Sequence, residues 1–115
     1  MDLSMNELEL ANWNHFAALL GRDEHTLTAD EKVSRDYFSA SIDEGLGAPA
    51  NDDASRWCRL AREVGYAAKQ IGRIPTSKAD GVAPRHLRWI HEQCTTELNS
   101  YQRSRLEEMP GWSWT

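Results

Sequence analysis

Signals for helix starts recur along this chain and constrain its fold more than any other feature of the sequence. Ser4-Met5-Asn6-Glu7, Thr28-Ala29-Asp30-Glu31 and Asn99-Ser100-Tyr101-Gln102 each place a capping side chain three residues before Glu or Gln. In such a capping box the two side chains satisfy two backbone N–H groups that the first helical turn leaves without partners. We therefore predict a helix after each of these signals.

Apolar residues follow the first two signals at helical spacing. The first helix has its apolar stripe at Leu10, Trp13, Phe16, Ala17 and Leu20. The second has its stripe at Val33, Tyr37 and Ala40. Gly21 and Gly45 are placed to end these two helices, because glycine is common just past a helix C-terminus.

Two further helices are predicted in the second half of the chain. Asn51, Asp52 or Asp53 can cap a third helix that ends at Gly72. Its apolar period runs through Trp57, Leu60, Ala61, Val64, Ala68 and Ile71. Pro84 suits the first turn of a fourth helix, whose apolar face we place at Leu87, Ile90, His91 and Cys94.

The stretch GLGAPANDD, residues 45–53, is rich in glycine, proline and turn-forming residues and is typical of a linker. No window of the sequence has a convincing strand pattern. The predicted fold is therefore a small all-α protein, with an acidic two-helix module over residues 1–50 and a three-helix unit over residues 51–115.

Charge divides the chain in the same way. Residues 1–53 hold 12 acidic and three basic side chains, a formal charge of −9, whereas residues 54–115 hold ten basic and six acidic side chains, a formal charge of +4. Such asymmetry suggests an acidic module joined to one that suits an anionic partner. Two solvated helix faces would explain it equally well.

The sequence lacks a long apolar run and begins with the acidic stretch MDLSMNELEL, so we expect a cytoplasmic protein with no membrane contact. Cys58 and Cys94 lie far apart and are expected to be reduced and buried. Nothing has the paired-ligand spacing of a zinc site, and we predict no metal and no cofactor.

A family resemblance emerges in the second half of the chain. Trp57, the GRIP loop, the HLRWIHEQ helix and the closing PGWSW together resemble the helicase-associated domain, a short three-helix unit often repeated after bacterial helicase motors. The matching positions are Trp57, Gly72, Pro75, Leu87, Trp89, Gln93, Leu98, Arg105, Leu106 and Trp114. The resemblance covers about residues 54–115, leaves the N-terminal half unassigned, and suggests an actinobacterial, phage or plasmid origin.

The resemblance also suggests why two tryptophans stand so close to the C-terminal end. Pro110 and Gly111 can end the last helix and turn the chain back onto a small core. A few indoles supply much of the apolar area that three short helices can bury. We therefore predict a structural core of Trp57, Trp89, Leu106, Trp112 and Trp114.

The sequence shows no nucleophile elbow, no phosphate-cradling glycine loop and no H-E-x-x-H motif, so we predict a protein that is not an enzyme. Basic residues near loops and helix starts suit phosphate contacts. The predicted nucleic-acid-binding residues are Arg73, Lys78, Arg85, His86, Arg88, Gln93, Arg103 and Arg105, with Gln93 and His86 as candidate readers of base edges.

The main functional hypothesis is a small nucleic-acid-binding protein or regulator, with double-stranded DNA as the expected partner. The alternative is a protein-interaction module that acts through its acidic N-terminal helices, either on a basic partner or on a second copy in a homodimer. A continuous positive face would favour nucleic acid, whereas its interruption by Asp80, Glu92 or Glu97 would favour protein.

Overall fold

A computed structural model describes residues 6–47 and 52–114. It contains the helices α1 (Glu7–Ala17), α2 (Ala29–Gly45), α3 (Asp53–Ile71), α4 (Pro84–Gln93) and α5 (Ser100–Glu107). Short 3₁₀ turns cover Ala18–Gly21, Glu24–Thr26 and Lys78–Asp80. No strand occurs within the two described stretches, and the predicted all-α fold is confirmed. None of the helices described is long and apolar enough to cross a membrane.

The helix starts follow the capping chemistry closely. Thr28 and Glu31 form a complete box at α2, as do Asn99 and Gln102 at α5. Asp52 caps α3 through a 2.8 Å hydrogen bond from the backbone N–H of Ser55. Each cap satisfies donors that the first turn would otherwise leave to water.

The first helix starts later than the sequence suggested. Its capping box consists of Asn6 and Glu9, joined by reciprocal hydrogen bonds of 2.8 and 2.9 Å. Ser4, the predicted cap, lies outside the described residues. The difference arises because Asn6 also stands three residues before a glutamate and competes for the same role.

Side chains from both halves of the chain form one core. Phe16 of α1 packs edge-on against Tyr101 of α5 with ring centroids 5.2 Å apart, and Tyr37 of α2 lies 6.1 Å from Trp57 of α3. The Ser34 hydroxyl, buried in α2, accepts a 3.1 Å hydrogen bond from the Tyr101 backbone N–H. The predicted modules 1–50 and 51–115 therefore share a single apolar interior, which encloses residues from both sides of the linker.

The predicted tryptophan core is only partly realised. Trp57, Trp89 and Leu106 are buried, and Trp112 packs against the core from its edge. Trp114 is 37% exposed, which corrects its assignment to the core. Its indole packs edge-on against Trp112 at 5.3 Å and donates a 3.0 Å hydrogen bond to Glu107, so it covers the end of α5 from outside.

Gly111 makes this closing turn possible. Its backbone has φ of +73°, a conformation that residues with a Cβ seldom adopt. A Cβ at this position would also stand 3.5 Å from the Arg73 Cα and the Ile74 nitrogen. The C-terminal turn is thereby packed against the start of the loop between α3 and α4.

Candidate nucleic-acid interface

The residues predicted to bind nucleic acid are distributed over two parts of the molecule. The loop between α3 and α4 and the first turns of α4 carry Arg73, Lys78, Arg85, His86 and Arg88. Gln93 ends α4, and Arg103 and Arg105 belong to α5.

Arg73 is held by a carboxylate of its own loop. Its guanidinium donates two hydrogen bonds to Asp80, of 2.6 and 3.0 Å, and Asp80 also accepts a 2.8 Å bond from the Thr76 backbone N–H. The Arg73 guanidinium and these backbone donors hold the pKa of Asp80 far below its usual range. Arg73 therefore fixes the loop, and its charge is largely neutralised before any ligand arrives.

The sequence analysis did not predict the Arg73–Asp80 ion pair, although the sequence contained a signal for it. Ser77-Lys78-Ala79-Asp80 is itself a capping pattern, and the Ser77 hydroxyl accepts a bond from Ala79 while Asp80 accepts one from Ser77. The pattern starts a single 3₁₀ turn rather than a full helix. The predicted interruption of the positive face by Asp80 is thus present at Arg73.

His86 anchors α4 to α3. Its ring Nε2 lies 2.8 Å from a carboxylate oxygen of Glu63, and the side chain is only 13% exposed. The Arg85 guanidinium approaches the same oxygen at 3.8 Å but stays 63% exposed. His86 is therefore committed to holding two helices together, which removes it as a reader of base edges in this arrangement.

Gln93 is a core residue, which corrects its prediction as a base reader. It is 6% exposed, and its side-chain oxygen accepts a 2.8 Å hydrogen bond from the Trp57 indole N–H. Its amide nitrogen donates a 3.0 Å bond to the backbone oxygen of Trp89. Both ends of the amide are satisfied inside the protein, as buried polar groups require.

The burial of Gln93 also shows that the inner face of α4 was only partly predicted, since Ile90 packs against the core as expected but Gln93 was left out. Trp89 and Gln93, one helical turn apart, are buried, whereas His91, which the predicted apolar face included, is exposed. The spacing of Trp89 and Gln93 at i and i+4 was the available signal. It was missed because glutamine is seldom assigned to a core.

The two arginines of α5 do not join the cations of α4. Arg103 donates a 2.7 Å hydrogen bond to the backbone oxygen of Leu98 and remains exposed. Arg105 is half-buried and lines a cleft that α1, α2, α3 and α5 enclose, beside Glu9 and Glu108. The predicted set is therefore divided: Arg103 is exposed on α5 and Arg105 lies in a separate cleft, apart from the cations at α4.

What remains of the predicted interface is a smaller group of cations. Lys78, Arg85 and Arg88 are exposed, and the side chains of Lys78 and Arg88 form no hydrogen bond or ion pair with any described residue. Arg85 and Arg88 stand three residues apart and lie on the same side of α4. We call these three residues the α4 cation group.

Most other cations are paired within the protein. Arg35 pairs with Glu24 at 3.0 Å, Arg62 with Glu44 at 2.6 Å and Lys69 with Glu9 at 2.9 Å. Two of these pairs cross between the acidic first half and the basic second half of the chain. The charge asymmetry of the sequence is therefore partly cancelled in the fold.

The residues described provide no group of three or more His, Cys, Asp or Glu side chains that could hold a metal ion. Cys58 is buried, as predicted, and its burial raises the pKa of the thiol to about 11. A thiol with so high a pKa is a poor nucleophile near neutral pH. Cys94 is only half-buried, which corrects the expectation of two buried cysteines.

Comparison with known proteins gave no match to a family model, to a curated protein or to a solved structure. The resemblance of residues 54–115 to the helicase-associated domain thus remains a prediction from the sequence.

Proposed function

We propose that this chain is a small non-enzymatic nucleic-acid-binding protein, with duplex DNA as the expected ligand. The observation that carries the proposal is the α4 cation group, in which Lys78 and Arg88 are exposed and unpaired among the described residues. The resemblance to the helicase-associated domain supports the same function. Contacts would be chiefly to phosphates, because both predicted base readers are engaged inside the protein.

The small size of the cation group limits how tightly one copy can bind. Each phosphate neutralised contributes about 0.9 to the slope of log affinity against log salt, so three cations give a slope of about −3. The chain as a whole is acidic, with a net charge of −5, and this charge opposes binding. Useful affinity would then require two copies on one duplex or a tethered partner.

The proposal is tested by fluorescence anisotropy of a labelled DNA duplex at two salt concentrations. We expect weak, salt-dependent binding by the wild-type protein. Lys78→Gln/Arg88→Gln should weaken binding at low salt by at least about fivefold and reduce the magnitude of the salt slope by about 2. The matched control, Arg22→Gln/Lys32→Gln, removes the same charge from the acidic half and should lose less affinity.

Equal losses in the two double variants would mean that net charge, rather than this surface, governs binding. An absence of binding to both duplex and single-stranded DNA at low salt would overturn the proposal. Circular dichroism of both variants excludes misfolding as the cause of a loss.

A second candidate, a protein-interaction module, is favoured by one specific observation. Arg35, Arg62, Lys69 and Arg73 are each paired with a carboxylate, so most of the positive charge near them is already neutralised. A surface of balanced charge suits a protein partner better than a polyanion. This candidate takes precedence if the duplex experiment shows no binding.

A further inference from the structure

A cleft of about 440 Å³ lies between α1, α2, α3 and α5, away from the α4 cation group. Its deep surface consists of the core residues Phe16, Phe38, Tyr101 and Met109. Gly65 of α3 lies beside this surface, where a Cβ would be in ordinary van der Waals contact with the Met109 methyl carbon at 3.6 Å. The cleft therefore gives solvent access to the apolar interior.

Two large aromatic side chains stand at the edges of the cleft. Trp13 of α1 is 45% exposed and packs edge-on against Phe38 at 4.8 Å, and Tyr66 of α3 is 68% exposed. Exposed aromatic side chains beside an apolar recess are typical of surfaces that bind another protein. An apolar side chain that entered between them would bury area on both rings.

The charged residues of the cleft are paired, with one exception. Lys69 is bonded to Glu9 at 2.9 Å, Arg62 is bonded to Glu44 at 2.6 and 3.0 Å, and Glu108 accepts a 2.9 Å hydrogen bond from Asn12. Arg105 is half-buried and forms no hydrogen bond or ion pair with any described residue.

Arg105 lies in the field of Glu9, Glu44 and Glu108, where its charge is a small influence on the pKa of each carboxyl group beside burial and the direct hydrogen bonds. Glu9 and Glu44 already have their own cations. Burial raises the pKa of Glu108, whose carboxyl group accepts a hydrogen bond from Asn12. Arg62 and Lys69 are thus each paired with a carboxylate, and Arg105 is the one charged residue of the lining without a hydrogen bond or ion pair to a described residue.

We propose that this cleft binds a segment of a partner protein that presents a carboxylate next to a large apolar side chain. The carboxylate pairs with the Arg105 guanidinium, which has donors to spare and a geometry that matches a carboxylate. The apolar side chain lies between Trp13 and Tyr66. The proposal uses none of the α4 cation group and stands independently of nucleic-acid binding.

Charge complementarity favours an acidic segment as the occupant of the cleft. A basic segment would bring a further cation next to Arg105, and an uncharged segment would leave Arg105 half-buried without an ion-pair partner. Leaving a charged donor unpaired in a partly desolvated site is costly. An acidic and apolar segment satisfies the guanidinium and covers the exposed rings together.

The test is a titration of ¹⁵N-labelled full-length protein, followed by NMR, with the peptide acetyl-Phe-Glu-Leu-amide and its Gln and Lys analogues. We expect the acidic peptide to shift the Trp13 indole N–H signal and backbone signals around Arg105. The Gln analogue should bind about tenfold more weakly, and the Lys analogue more weakly still.

Two variants make the result specific to the cleft. Arg105→Gln should remove the preference for Glu over Gln, and Tyr66→Ala, at a highly exposed site, should weaken all three peptides alike. Arg88→Gln is the matched control, since it removes an arginine outside the cleft and should leave the preference unchanged. The inference is overturned if the acidic peptide causes no shift, if the Lys analogue binds best, or if Arg105→Gln keeps the preference.

Discussion

Gln93 joins two tryptophans through one amide group. It accepts from the Trp57 indole N–H at 2.8 Å and donates to the Trp89 backbone at 3.0 Å, all within the core. Because both bonds are buried, the free energy of unfolding should depend strongly on this side chain.

We expect Gln93→Ala to lower the free energy of unfolding by about 2–4 kcal/mol, because it leaves a buried indole N–H without an acceptor and opens a cavity. Urea denaturation measures the change. Gln70→Ala, on the exposed side of α3, is the matched control and should change stability by less than about 0.5 kcal/mol. A similar effect in both variants would contradict the role assigned to Gln93.

Glu108 predicts a pH dependence of stability. Burial raises its pKa above the value of about 4.3 expected in the unfolded chain, so the folded protein binds the proton more tightly. The contribution of Glu108 to stability is therefore largest at low pH and falls as pH rises through the folded pKa.

Glu108→Gln should remove this loss of stability with rising pH, and it keeps a side-chain oxygen that can accept the hydrogen bond from Asn12. We expect the variant to gain stability relative to wild type as pH rises from about 4 to about 7, with the difference smallest at the acidic end. Urea denaturation at several pH values measures it. A difference that shrinks with increasing pH would show that Glu108 is stabilised in its charged form.

At the scale of helices, local chemistry predicted most of the points where elements begin and end, although α1 is capped by Asn6 rather than Ser4 and ends at Ala17 rather than Gly21. The boxes at Thr28 and Asn99, the ends at Gly45 and Gly72, and Pro84 in the first turn of α4 are all present. These features depend on residues within one turn of each other, so the sequence contains them completely.

The buried face of a helix was predicted less well than its ends. The predicted stripe of α1 included Leu10, Trp13 and Leu20, yet these are about half exposed, whereas Phe16 and the neighbouring Leu19 enter the core. A helix with apolar residues on two sides has no unique inner face until its partners are placed. The same ambiguity left Gln93 out of the predicted inner face of α4.

The candidate site could be predicted only as a list of cations. The sequence does not show that Arg105 would lie in a separate cleft, because that position depends on the relative placement of helices. The pairing of Arg73 with Asp80 is local to one loop, and the capping pattern at Ser77 was its signal. Ion-pair partners distant in sequence, such as Glu9 and Lys69, carry no local signal.

For the whole molecule, the shared core predicts that the second half does not fold alone. A fragment of residues 52–115 would lose Phe16, Leu19 and Phe38 from the interior and expose the rings they cover, Tyr101 among them. It would also lose the carboxylates that neutralise Arg62 and Lys69.

We therefore expect the fragment to show weak near-ultraviolet circular dichroism and no cooperative thermal transition, in contrast to the full chain. A fragment that unfolded cooperatively near the transition temperature of the full chain would instead establish two independent modules. DNA-binding measurements should accordingly use the full chain and its point variants.

The tryptophans differ in exposure, so the intrinsic fluorescence of the protein can report on different parts of the fold. Trp57 and Trp89 are buried with ring centroids 5.5 Å apart, whereas Trp13 and Trp114 are partly open to solvent. The buried pair should emit at shorter wavelengths and escape quenching by iodide, and the exposed pair should emit further to the red and be quenched. A ligand in the cleft should therefore change the quenchable emission, through Trp13, while emission from the buried pair follows the integrity of the interior.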